Sequence, residues 1–297
     1  MTVIVRSPAK VNVQLSVGPV RADGYHELVT VFQAVSLHDV ITAHEGEGVS
    51  LTMEGEGSES LPIDDSNLAV RAARLLAEHA DVEPNVRLHI EKSIPIAGGM
   101  AGGSADAAGV LVACDALWQT GLSRDDLATV GAHLGSDVPF ALFGGNAIGR
   151  GRGEQIMPVL GRGQFHWVFA FADEGLSTPA VYRQCDALRG DAPVPEPYVS
   201  DLLLQALRAG DPEVLADVLH NDLQPAAISM RPSLRTLLEA GVEYGALAGI
   251  VSGSGPTCAF LVRDDEHALD VAVALTATGN CRTVKRGTGP APGARVM

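Results

Sequence analysis

Apolar and polar residues alternate from the start of the chain, at Val3 and Val5 and then at Val11, Val13, Leu15 and Val17. A period of two predicts strands. More strand-like sequence follows at residues 28–37 and 40–43. Residues 46–60 are rich in Gly, Glu and Ser, which predicts a hairpin region with exposed turns. Leu68, Ala72, Leu75 and Leu76 take up helical spacing, predicting a helix over 67–80. Val86, Leu88 and Ile90 alternate with Arg87, His89 and Glu91 as in a half-buried strand. Residues 105–118 are mostly Ala, Val and Leu and predict a buried helix, with Ser104 placed to cap it. Ser123 and Asp126 form a capping box for the next helix, which Gly135 can end.

A boundary at 155–165 is expected, giving one domain over 1–160 and a second over 161–297. The second half opens with apolar residues 168–171 and a Pro-rich connection over 192–198. Helices are predicted at 201–209, 212–219 and 233–240. Residues 248–262 read as strand, Ser-Gly-Ser-Gly turn, strand, then a helix over 265–277 and a last strand over 282–285. The Gly- and Pro-rich tail from Gly287 is expected to be loose. Strands and helices that follow no regular βαβ repeat indicate an α+β fold in two lobes.

Between the strand at 86–90 and the helix at 105–118 lies Pro95-Ile96-Ala97-Gly98-Gly99-Met100-Ala101-Gly102-Gly103-Ser104-Ala105. A glycine loop feeding a helix start bares backbone N–H groups, and the helix dipole adds partial positive charge, so phosphate binds well there. The loop is not a Walker A loop: Gly98 and Gly103 have the spacing, but Ser104 follows with no lysine between. Paired glycines do not fit the Rossmann pattern either. The lesser alternative for the loop on its own is a turn that lets a helix pack close to a sheet.

Composition narrows the partners. Lys and Arg total 21 against 36 Asp and Glu, a formal charge of −15 over 297 residues. That argues against nucleic acid or an anionic membrane as partner, but not against a nucleotide, which needs only local donors. Cys114, Cys185, Cys258 and Cys281 are widely spaced, so free thiols in a reducing compartment are expected. No signal-peptide core follows Met1 and no apolar run spans a membrane, so a cytoplasmic protein is expected.

Three segments in order, Pro8-Ala9-Lys10-Val11-Asn12, the loop 95–105, and Ser252-Gly253-Ser254-Gly255-Pro256-Thr257, resemble the GHMP kinases. The resemblance covers nearly the whole chain. Within that superfamily, Arg21-Ala22-Asp23-Gly24-Tyr25-His26-Glu27-Leu28 and Gly135-Ser136-Asp137-Val138-Pro139-Phe140 resemble the branch that acts on 4-diphosphocytidyl-2-C-methyl-D-erythritol, and Asn221-Asp222-Leu223 fits it too. The resemblance implies a ribosomal protein S5 domain 2-like N-terminal lobe and a ferredoxin-like C-terminal lobe. It implies an ATP- and Mg²⁺-dependent kinase of the 2-hydroxyl of that small molecule in isoprenoid precursor synthesis, acting as monomer or homodimer.

By the same resemblance Lys10 and Asp137 are catalytic, residues 95–105 wrap the triphosphate, and Ser104 serves the Mg²⁺ held mainly by ATP. Asn12, Tyr25, His26 and Tyr182 face the cytidylyl substrate, and Asn67 lies near the adenine. The family loop commonly reads Gly-Leu-Gly-Gly-Gly-Ser-Ser-Asn. Here Met100 stands for the Leu, Ala101 restricts the backbone at a glycine position, Ala105 lacks a hydroxyl, and Asp106 adds negative charge beside the nucleotide unless it points away. Two alternatives stay open: a GHMP kinase for another alcohol such as homoserine or mevalonate, and a nucleotide-binding module without catalysis.

Overall fold

The computed structural model describes residues 1–96 and 98–297; Ala97, one of the loop residues expected to hold ATP, lies outside the described residues. Two strands of unusual length begin the chain, β1 (Thr2–Val20) and β2 (His26–His44). They pair antiparallel, with register shifts at Pro8/Ala9 and Asn12/Gln14 that bend the ribbon. The bend lets each strand serve two sets of partners. The second half of β2 pairs β4 (Val86–Lys92). Its first half pairs β5 (Asn146–Gly151), which pairs β6 (Gln155–Val159).

Residues 46–60 do not form the expected hairpin. β3 (Val49–Gly55) runs parallel to β4, joined to it through α1 (Leu68–Ala80). Alternation marks a strand but not its partner, and a helical crossover returns the chain in the same direction. The Asn67 side chain accepts from the Ala69 amide and caps α1. α2 (Gly102–Trp118) lies across the sheet with its middle, Ala105 to Cys114, buried, and a Cβ on Gly109 would sit 2.4 Å from Ile41 Cδ1, so helix and strand meet closely there. α3 (Arg124–Ala132) has the expected capping box and stops three residues before Gly135. α4 (Val138–Phe143) follows.

The second sheet is built from β7 (Phe165–Phe171), β9 (Ala248–Val251), β10 (Cys258–Val262) and β11 (Thr283–Gly289). Its spatial order, β11-β7-β10-β9, is antiparallel throughout, and α9 (Ser233–Glu243) and α10 (Asp265–Ala277) provide the two crossovers of a ferredoxin-like βαββαβ unit. α5 (Thr178–Arg189), α6 (Asp201–Ala209), α7 (Pro212–Ala216) and α8 (Gln224–Met230) fill the long excursion between β7 and α9. α7 is shorter and α9 longer than the sequence predicts. Within the excursion β8 (His220–Asn221) returns to pair β1.

One apolar cluster joins the two sheets: Val11, Val13, Val31 and Val35 pack with Trp167, Phe169, Ala259 and Leu261. Trp167 Nε1 donates to Gln33 Oε1 at 2.8 Å across the same contact. The tail is not loose. Gly287–Gly289 belong to β11, Ala294 is fully buried, and β12 (Arg295–Val296) pairs with β1. Arg124 donates to the carbonyls of Leu142 and Ala294 and ties this segment down. Glycine and proline here mark turns between paired segments rather than freedom.

Candidate active site

Along β1 the residues at 9, 11, 13, 15 and 17 are apolar and those at 10, 12, 14 and 16 polar, yet both sets are buried. Of the polar face, Lys10 and Asn12 line a cavity of about 810 Å³, while Gln14 is covered by the 198–200 segment, its Nε2 donating to the Tyr198 carbonyl and its Oε1 accepting from the Ser200 amide. Lys10 and Asn12 fall between the two register shifts of β1, where the bulged strand re-aims its side chains. Lys10 Nζ donates to Asn12 Oδ1 at 2.6 Å and to the Gly99 carbonyl at 2.8 Å, and lies 3.8 Å from Asp137 Oδ2. Asn12 Nδ2 in turn donates to Thr30 Oγ1 at 2.8 Å, which fixes the amide.

The three separated sequence segments meet at the glycine loop. Gly99 has φ of +72°, and a Cβ there would lie 2.2 Å from the Ser252 carbonyl oxygen, so only glycine fits between β1 and the 252–255 turn. The same Gly99 carbonyl accepts from Lys10 Nζ and from Ser252 Oγ, the latter at 3.1 Å. Asn221 Nδ2 donates to the carbonyls of Val251 and Gly253 and steadies that turn from beneath.

Ser104 is not the cap of α2. Ala101 takes the left-handed conformation (φ 59°, ψ 35°) and becomes the N-cap, so Gly102 starts the helix and Ser104 is its third residue. The first-turn amides of Gly102, Gly103 and Ser104 have no acceptor one turn back within the helix, and all three residues line the cavity with Gly98, Gly99 and Ala101. A helix start with free amides of this kind is suited to hold an anion. Asp137 lines the same space. It heads α4, but its carboxylate caps nothing and stays turned toward Lys10.

Burial lowers the Lys10 ammonium from its usual value, and the Asp137 carboxylate only partly offsets this. At the other end of the cavity His26 Nε2 and Asp186 Oδ1 lie 2.9 Å apart, and the His26 ring sits 5.1 Å from that of Tyr182. Burial, with Asp137 nearby, raises the Tyr182 phenol. It stays neutral near pH 7, a ring to stack on with a hydroxyl to donate. Tyr25 is half exposed at the rim, shaped by a turn in which the Arg21 amide donates to the Tyr25 carbonyl at 2.6 Å.

Of the loop departures Ala101 lines the cavity, whereas Met100, Ala105 and Asp106 lie away from it. Ala105 and Met100 are buried in the inter-sheet core, so a hydroxyl at 105 would face carbon, not phosphate. Asp106 turns toward Lys92, whose Nζ donates to it at 2.6 Å and to Asp39 at 2.5 Å. Asp39 also accepts the amides of Ser93 and Ile94, where β4 leaves for the loop. Asp106 Oδ1 is buried with no partner among the described residues. Burial, with Asp39 adding to it, raises the Asp106 carboxyl well above the usual range despite Lys92. The negative charge foreseen beside the nucleotide is thus screened by a lysine or removed by a proton.

Models of the GHMP kinases N terminal domain and the GHMP kinases C terminal region match residues 67–145 and 203–281. The 4-diphosphocytidyl-2-C-methyl-D-erythritol kinase of Salinispora arenicola is 60% identical over 294 residues, 98% of this chain and 93% of that protein. Its namesake in Mycolicibacterium smegmatis is 58% identical over 298 residues, 100% of this chain and 92% of that protein. The chain belongs to the 4-diphosphocytidyl-2-C-methyl-D-erythritol kinase family of GHMP kinases. A solved 4-(cytidine 5'-diphospho)-2C-methyl-D-erythritol kinase superposes with a TM-score of 0.80 at 33% identity, covering 98% of this chain and 100% of that one. A homoserine kinase from Cytophaga hutchinsonii at 18% identity shares the fold, with a TM-score of 0.75, 100% of this chain and 97% of that one.

In this GHMP kinase Lys10, Asn12, Tyr25, His26, Ser104, Asp137 and Tyr182 all line one cavity. Pro95, Ile96, Met100 and Ala105 are not on its wall; they support the loop. Asn67 is also off the wall, its amide nitrogen donating to the Pro62 carbonyl at 2.6 Å while its oxygen caps α1. Sequence reasoning missed Asp186, Thr178 and Arg152 on the same wall. Asp186 is 160 positions from the histidine it pairs with, and no local pattern announces it. Among the described residues no helix is long and apolar enough to cross a membrane, and the four cysteines are free.

Proposed function

We propose that this chain transfers the γ-phosphoryl group of ATP to the 2-hydroxyl of 4-diphosphocytidyl-2-C-methyl-D-erythritol, a step in making isoprenoid precursors. One observation carries the reading: the amide array of α2 and the Lys10–Asp137 pair share a single cavity with His26, Tyr25 and Tyr182. A phosphate-holding end, a proton-handling centre and an aromatic end with an imidazole are the parts a nucleotide-linked alcohol needs.

Phosphoryl transfer asks chiefly for positioning and charge stabilisation. The first-turn amides of α2 receive the triphosphate. Asp137 accepts the hydroxyl proton as oxygen attacks the γ-phosphorus and the bond to the β-phosphate oxygen breaks, leaving ADP. Lys10 favours the alkoxide that develops. The uncapped Ser104 hydroxyl, beside those amides, suits Mg²⁺, a hard cation that takes oxygen ligands and keeps several waters. Bound with ATP, Mg²⁺ would neutralise charge on the phosphate oxygens. Tyr25 and Tyr182 give the cytosine faces to stack on and His26, oriented by Asp186, reads its edge. The acceptor is a small molecule, and we read the protein as cytoplasmic, with an ATP-binding domain over 1–160 and a second over 161–297.

The test is ADP release with Mg-ATP, offering the cytidylyl methylerythritol, mevalonate and homoserine in parallel. Turnover only with the first is expected. Turnover with another acceptor instead overturns the substrate, and ATP binding without turnover on any of the three overturns the catalytic assignment.

A further inference from the structure

Lys10 is occupied by Asn12, Gly99 and Asp137, which leaves the cavity wall two other strong cations, Arg152 and Arg183. They are set differently. Arg183 is exposed on α5. Arg152 sits in a tight turn, where its amide donates to Glu154 Oε2 at 2.7 Å and the Gly153 amide donates to the Arg150 carbonyl at 3.0 Å. Gly151 and Gly153 have φ of 72° and 107°, which lets the turn close. The register of β5 on β2, Gly151 opposite Leu28, brings this turn beside the Tyr25–His26 segment. The Arg152 guanidinium lies over the Tyr25 ring, 5.0 Å from its centroid, and has no carboxylate partner among the described residues. A planar cation held on an aromatic platform keeps its N–H edge free.

We propose that Arg152 is a specificity-determining residue that reads the diphosphate of the acceptor from the Tyr25 side of the cavity. The inference rests on the acceptor proposed above, whose cytosine and reacting hydroxyl are joined through a diphosphate. A chain with formal charge −15 repels such an anion overall, so a local fork of donors matters here. The guanidinium serves twice: it steadies a half-exposed tyrosine as a stacking surface and offers paired donors to phosphate oxygens.

Calorimetric titration of the full chain with CDP and with cytidine, in saturating ADP to fill the nucleotide end, tests this on the parent protein, R152Q, R152K and R183Q. The parent is expected to prefer CDP. In R152Q that preference falls by about 10- to 100-fold, the worth of a charge-assisted contact. R152K regains part of it, having charge without the fork, and R183Q loses less than R152Q. In turnover, R152Q raises KM for the acceptor and not for ATP. An unchanged CDP preference in R152Q, a larger loss in R183Q, or an equal rise in KM for ATP overturns the proposal. Titration needs no phosphoryl transfer, so the two readings fail separately. A chain that selects CDP through Arg152 yet never phosphorylates the cytidylyl acceptor loses the proposed reaction and keeps this site.

Discussion

At the scale of single residues the cavity depends on two oppositely charged side chains with different burdens. Lys10 is almost fully buried, and burial works against its charge, while Asp137 remains about a third exposed at 31%. Replacing Asp137 by Ala is expected to lower kcat by about 10²- to 10⁴-fold, the usual worth of a positioned acid–base group. The circular dichroism spectrum should not change, because the Asp137 side chain caps no helix. Lys10 must be cationic to favour the alkoxide, so activity should fall as pH rises through its folded-state value. Since burial lowers that value, the alkaline limb of the kcat profile should lie below the ordinary lysine range; a limb at or above it would remove Lys10 from this role.

Asp106 is the second residue with a pH signature. Its folded-state value is raised, so the folded protein binds a proton that the unfolded chain gives up more easily. Stability is therefore fuller at acid pH and lost as pH rises through the folded value. Asp106→Asn removes that loss and turns an amide donor toward the Asp39 carboxylate. The variant should be more stable than the parent at pH 8 by about 1–3 kcal/mol, the penalty of an unsatisfied buried group. Thermal melts at pH 5 and pH 8 check it: the parent's midpoint should drop more between the two than the variant's.

At the scale of elements, what the sequence revealed depended on how local the cause was. The strand at Val86–Lys92 and the helix at Asp265–Ala277 are legible because their patterns sit within one window. The capping box at Ser123 is legible for the same reason. The start of α2 was misread because the deciding event is a left-handed alanine, a conformation that costs a non-glycine residue about 1–2 kcal/mol and that no propensity favours. The loop, the lysine and the serine-glycine turn were each visible, but not that a single carbonyl, Gly99 O, ties them. Ser252→Ala removes one of its two donors. KM for ATP should rise by about 3- to 10-fold, as for one hydrogen bond, measured by initial rates at fixed acceptor; an unchanged KM would mean that the turn does not hold the loop.

At the scale of the whole molecule, the division into halves is only part of the architecture. The cluster around Trp167 makes one core of the two sheets, and the active-site wall takes residues from both sides of it. Contacts such as His26 with Asp186 arise from this assembly, which is why sequence spacing concealed them. The tail is the clearest case, since a Gly- and Pro-rich composition hid a buried Ala294 and a paired strand. Ala294→Asp puts a carboxylate among Val3-side core residues and should cost about 3 kcal/mol or more. A thermal midpoint within a degree of the parent's would mean that the tail is loose after all.

The pairing of Val5 with Val296 has a further consequence, for synthesis. The strand that carries Lys10 is synthesised well before its edge neighbour at Arg295–Val296. Its other short neighbour, at His220–Asn221, also arrives late. Long-range pairing of this kind delays folding and leaves an unpaired edge exposed in the interval. The nascent protein should therefore hold an incomplete first sheet until Arg295–Val296 has emerged, and a chain stalled before residue 290 should be captured by chaperones far more readily than one carried past it.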